Sequence, residues 1–161
     1  MTYIDKMQSL LGVPVAVERR RISGNVPNRM YDVFYDKAGA KTADRDNRPT
    51  IATFCLCQLP GCCGVCVSYH TQVYAPYQHR GFGKLLMKLK EQLAYDNGYA
   101  IMLATDKIRN TYQQKIFTAS NWDRVAEFKN RRSGNEVGVH VRKLADTHIC
   151  LGFPNPGISV G

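Results

Sequence analysis

Acidic residues are scarce in this chain: 13 Asp and Glu stand against 22 Lys and Arg, leaving a formal charge of +9. That imbalance implies attraction to something anionic. Long apolar runs are also missing. No stretch of about eighteen consecutive apolar residues occurs, so no membrane-spanning helix and no membrane partner are expected. The opening residues Met1-Thr2-Tyr3-Ile4-Asp5-Lys6 lack the basic-then-apolar order of a secretory leader. The expectation is a soluble protein of the cytoplasm. No internal repeat or low-complexity segment is found, and 44% hydrophobic residues in 161 suffice for one domain with a sizeable core. The basic clusters Arg19-Arg20-Arg21 and Lys129-Asn130-Arg131-Arg132 come without a zinc finger, an RNA-binding strand signature or a helix-turn-helix pattern. Nucleic acid stays open as a partner on charge alone.

Cysteine is the residue present in excess. Five of the six are crowded as C-x-C-x4-C-C-x2-C, from Cys55 and Cys57 through Cys62 and Cys63 to Cys66. This is not the spacing of a zinc knuckle, so the cluster reads as reduced, structural thiols with no metal assigned. Thr53–Leu59 reads as a strand with Cys55 and Cys57 on one face, Pro60–Gly64 as a hairpin turn, and Val65–Val73 as the returning strand.

The segment Gln78-His79-Arg80-Gly81-Phe82-Gly83 follows that strand and opens an amphipathic helix. Phe82, Leu85, Leu86, Leu89 and Leu93 recur at helical spacing, with Lys84, Lys88, Lys90 and Glu91 assigned to other faces. Asn97-Gly98 ends it. A helix that starts at a glycine turn leaves its first amides unpaired and its positive dipole end exposed, and a pyrophosphate satisfies both. A short helix at Tyr3–Leu11 and strands at Val15–Ile22 and Met30–Tyr35 precede a polar loop over Asp36–Pro49. After the glycine turn come a strand at Tyr99–Thr105, a helix after Asn110, and a hairpin of Arg124–Lys129 with Val137–Val141. The tail from Ala145 to Gly161 reads as irregular. This order predicts an α/β domain with a mixed sheet.

Written as Q-x-x-G-x-G after Thr71-Gln72-Val73, the glycine segment resembles the acyl-CoA pyrophosphate loop of the GNAT superfamily of N-acyltransferases. The resemblance continues in order through Tyr99–Thr105, Asn110 and Asn121-Trp122, over roughly residues 65–144 of a single domain. It implies a mixed, mainly antiparallel sheet flanked by helices, with two central parallel strands splaying apart to admit acetyl-CoA. The two early helices usual in that superfamily are hard to find here. The resemblance further implies that Gln78, His79, Arg80, Gly81, Phe82, Gly83 and Lys84 hold the pyrophosphate, with Asn110 and Phe117 also on the cofactor. Backbone groups of Thr71, Gln72 and Val73 would hold the pantetheine and polarise the thioester. The implied activity is acetyl transfer to a primary amine, on a small molecule or a protein, by direct attack in a ternary complex.

Three residues are candidates for the general base. Asp106 leads, followed by Tyr69 and His70. Each has an alternative: Asp106 as a turn cap, Tyr69 as core, His70 on the opposite face. Counted back from Gly81, Tyr69 has the parity of the superfamily's bases and His70 does not. Phe117 stands where the superfamily commonly has a thiolate-protonating tyrosine, and Tyr112 is five residues too early on the helix to replace it. Two other functions fit the same sequence. Ile116–Trp122 is similar to a stretch of viral DNA-modifying members of the fold, which would make the chain a nucleobase-modifying enzyme. The Phe117 substitution would also suit a non-catalytic CoA-binding module.

Overall fold

The structure is a computed structural model, and it describes residues 2–12, 15–20, 28–35 and 50–146. Arg21, the Asp36–Pro49 loop and the tail from residue 147 lie outside the described residues. The elements are α1 (Tyr3–Leu11), β1 (Val15–Arg20), β2 (Asn28–Tyr35), β3 (Thr50–Gln58), β4 (Val65–Val73), α2 (Phe82–Asp96), β5 (Ile101–Lys107), α3 (Thr111–Ala119), β6 (Asp123–Lys129) and β7 (Glu136–Lys143). A single 3-10 turn, Ala75–Tyr77, links β4 to the glycine segment.

The seven strands form one sheet in the order β1-β2-β3-β4-β5-β7-β6. Every pairing is antiparallel except β4 with β5. Two parallel strands need a crossover, and α2 supplies it. The parallel ladder runs only from Val65↔Ile101 to Ser68↔Ala104. Beyond that point β4 continues against β3 to Val73, while β5 continues against β7 to Lys107. The two central strands therefore part company halfway, as the resemblance implied.

Alternation places Cys66 and Ser68 of β4 and Met102 and Ala104 of β5 on a buried face, with Leu86, Met87 and Leu89 of α2 and Met7 of α1 in the same core. Thr2 and Asp5 form a capping box at the start of α1, and Gly12 ends it at φ +68°. Strand β6 lies at the sheet edge with every residue exposed, including Val125 and Phe128.

Two features differ from the sequence reading. Lys90 and Glu91, assigned to faces other than the apolar one, are buried as well, because α2 is covered on two sides, by β4 and by the junction of α3 with β6. Trp122 Nε1 donates to Glu91 Oε1 at 2.7 Å, and Lys88 Nζ donates to Glu91 Oε2 at 2.8 Å. The cysteines also divide: Cys55 and Cys66 are buried, whereas Cys62 and Cys63 are exposed on the turn. Burial pushes Cys66 up to about 12, which leaves it inert.

Candidate functional site

A register irregularity shapes the outer half of β4. Cys55 pairs with Tyr69 and Thr53 with Gln72, so His70 and Thr71 together oppose the single residue Phe54. This is a β-bulge, and His70 within it has a positive φ of +48°. The extra residue changes the parity of the strand. Ser68 and Thr71, three apart, reach the same side and both accept from Lys90 Nζ at 3.0 Å.

Beyond the bulge, the chain turns through Ala75–Tyr77 into α2. Gln78 steadies this turn by donating its side-chain amide to Val73 O at 2.8 Å. Gly81 caps the helix at φ +85°, and among the described residues no side-chain cap accepts from the first amides of α2. Those amides carry the helix's partial positive charge and are open to an anion. The two glycines have different tasks. A Cβ at Gly81 would meet nothing within 4 Å, so Gly81 is needed for its backbone conformation. A Cβ at Gly83 would fall 2.7 Å from Ile116 Cδ1 and 3.2 Å from the Tyr112 hydroxyl, so Gly83 allows α3 to approach α2.

A cavity of about 380 Å³ lies between the end of β4, the start of α2 and one side of α3. Of the residues expected to hold the cofactor, Thr71, Gln72, Val73, Gln78, His79, Phe82, Gly83 and Asn110 line it. Asn110 also caps α3 by accepting from Gln113 N at 3.1 Å. Gly81 and Lys84 instead face a neighbouring groove beside α1, together with Lys6 and Lys88. Arg80 is exposed and lines neither. Tyr112 was not expected to take part, yet it lines the cavity, its ring centroid 6.3 Å from that of His79.

Lys90 is a further lining residue that the sequence reading missed. It is 3% exposed, and burial pulls its pKa down to about 8, with the neighbouring Glu91 carboxylate opposing the shift. A signal for it existed. Phe82, Leu86 and Lys90 are spaced four apart, which stacks all three on one face of a helix.

The residues expected to handle protons lie elsewhere. Asp106 is turned inward: Oδ1 lies 2.9 Å from His140 Nε2, Oδ2 accepts from Gln114 Nε2, and its side chain is 4% exposed. His140 is stacked flat on Phe117, with ring centroids 4.0 Å apart. Phe117 also meets Trp122 edge to face and does not line the cavity. Tyr69 is half-buried, and its pKa is raised, first by burial and then by the thiols of Cys55 and Cys57. A phenol that holds its proton more tightly is present less often as the phenolate that could act as a base at neutral pH. His70 is exposed on the bulge with its ring 5.0 Å from that of Tyr69. Among the described residues, no three His, Cys, Asp or Glu side chains gather as metal ligands would.

The sequence matches no protein-family model and no curated protein. Solved structures do match. A Desulfovibrio desulfuricans protein assigned to the acetyltransferases of the GNAT family superposes with a TM-score of 0.61 at 14% identity, over 81% of this chain and 99% of that one. The ribosomal-protein-S18-alanine N-acetyltransferase of Escherichia coli gives 0.62 at 8% identity, over 86% and 99%. A spermidine N-acetyltransferase of Vibrio cholerae, solved with CoA and spermine, gives 0.58 at 11% identity, over 73% and 66%. At these identities the likeness concerns the path of the chain. With its parted central strands and the helix start beside them, this chain has the fold of the GNAT-family acetyltransferases.

Proposed function

We propose that the protein is an acetyl-CoA-dependent N-acetyltransferase that moves an acetyl group to a primary amine by direct attack. The observation that carries this reading is a juxtaposition in one cavity: the open edge of β4 beyond Ser68 and the uncapped start of α2. One suits a pantetheine arm and the other a pyrophosphate. The residues fit the cofactor. Among the described residues the amides at the start of α2 have no side-chain cap competing for them, and Gln78 and Gly83 set the turn and the helix spacing that keep them accessible.

Bound acetyl-CoA would supply an activated thioester. The amine's lone pair would form the C–N bond, the C–S bond would break, and the CoA thiolate would leave. Amides of Thr71–Val73 facing the opening would stabilise negative charge on the carbonyl oxygen, a term worth about 2.7–4 kcal/mol in other acyl transfers. Deprotonating a lysine-like amine at neutral pH costs roughly 4 kcal/mol. With Asp106 engaged by His140 and Gln114, that proton is better assigned to water or to a residue of the acceptor site. A thiol pKa near 8.5 lets the thiolate leave without a dedicated acid.

The test is calorimetry with CoA and acetyl-CoA, followed by labelled transfer to a panel of polyamines, peptide amino termini and lysine peptides. Binding with transfer to one class supports the reading, and failure to bind CoA ends it. The inward placement of Asp106 favours one second reading, a CoA-binding module without turnover. Binding with no free CoA released across the panel would select it.

A further inference from the structure

Lys90 is unusual in its company. Both hydrogen-bond partners of its Nζ are hydroxyls, Ser68 Oγ and Thr71 Oγ1. The neighbouring carboxylate, Glu91, is committed to Trp122 and Lys88. An ammonium carries three donors, and no described residue accepts the third. A buried charge held in this way carries a desolvation cost that two neutral acceptors only partly offset. Perturbed ionisable groups that line a cavity are candidates for a role in it.

The position is specific as well. Lys90 lies eight residues beyond Phe82 on the same face of α2, which places it about 12 Å along the helix from the amides that open the cavity. Thr71, its partner, belongs to the open edge of β4. Lys90 and the helix start thus mark two separate regions of one cavity, and an elongated ligand whose phosphates lie at one would bring its acyl end toward the other. We propose that Lys90 donates its third N–H to the carbonyl oxygen of the acyl group, so that it recognises the acyl end of the donor and stabilises the charge that develops there. As the amine nitrogen bonds to the carbonyl carbon, the π pair moves onto oxygen beside this ammonium. When it returns, the C–S bond breaks and the thiolate departs. Lys90 neither gains nor loses a proton.

This inference rests on the cofactor reading above, and the experiment separates the two. Acetyl-CoA is compared by calorimetry with S-ethyl-CoA, which keeps the two-carbon length of the acetyl group but lacks the carbonyl oxygen, and with CoA. Wild type is expected to bind acetyl-CoA about tenfold more tightly than S-ethyl-CoA. Lys90→Met is expected to bind the two alike, with its CoA affinity within twofold of wild type. Wild type that binds all three alike overturns the proposal even if no variant folds. So does a Lys90→Met protein that keeps the preference or weakens towards all three equally, the signature of a structural role. Wild type that binds none of them overturns the cofactor reading, and the role of Lys90 falls with it.

Discussion

Held by hydroxyls and buried, Lys90 should be more useful than stabilising. Its pKa of about 8 lies below the ordinary 10.5, so between these values the unfolded chain binds more protons and stability rises with pH. Below pH 8 the folded state carries the full cost of the charge, on the order of 3 kcal/mol for such a shift. Lys90→Met should therefore unfold at higher denaturant than wild type near pH 7, and the gap should close as pH approaches 10.5. An unfolding series across that range checks it, and a variant less stable at every pH would contradict it. The two glycines offer a second comparison. Gly81→Ala forces a side chain into a left-handed conformation, at a cost of about 1–2 kcal/mol, with no atom in its way. Gly83→Ala should cost about 1–3 kcal/mol by overpacking and push Ile116, a cavity-lining residue, out of place. Melting curves should fall for both, whereas CoA affinity should fall more for Gly83→Ala.

Among the elements, α2 was the most legible in the sequence, because a glycine turn, a helical apolar period and Asn97-Gly98 mark both its ends. The β6–β7 hairpin was legible through the alternation of Val137, Val139 and Val141. Strand β5 was placed two residues early. Tyr99 is apolar and buried like a strand residue, yet its amide bonds back to Ala94 O and still belongs to the helix end. The bulge in β4 was not legible, since one inserted residue leaves no mark on a sequence, and it undid the parity count used to weigh Tyr69 against His70. Nor could local sequence bring Asp106 to His140, which is 34 residues away and joined to it only by the β5–β7 ladder. That pair ties β5, β7 and α3 together through Gln114 and the Phe117 stack. Asp106→Ala should leave a buried imidazole without its partner and cost about 1–3 kcal/mol. Measured well below its melting temperature, the variant should keep the acid limb of its pH–rate profile, the limb that protonation of a general base produces. Loss of that limb at unchanged stability would return Asp106 to the role of base.

For the whole molecule, a charge of +9 and basic residues along the groove beside α1, Lys6, Lys84 and Lys88, should draw in an anionic cofactor from a distance. The affinity for CoA should weaken as salt rises from about 50 to 200 mM, where charges a Debye length apart become screened. Titrations at several salt concentrations test this, and an affinity indifferent to salt would assign the charge to another partner. Nucleic acid retained during purification and lost on a salt gradient would identify that partner. Trp122 is the only tryptophan in the chain, and it is anchored at once to Glu91 of α2 and to Phe117 of α3. Since those two helices flank the cavity, the protein carries its own optical gauge of their separation. An emission shift or a change in quenching on titration with CoA would report a movement of the walls, without any label, and a flat signal would describe a cavity already set before its ligand arrives.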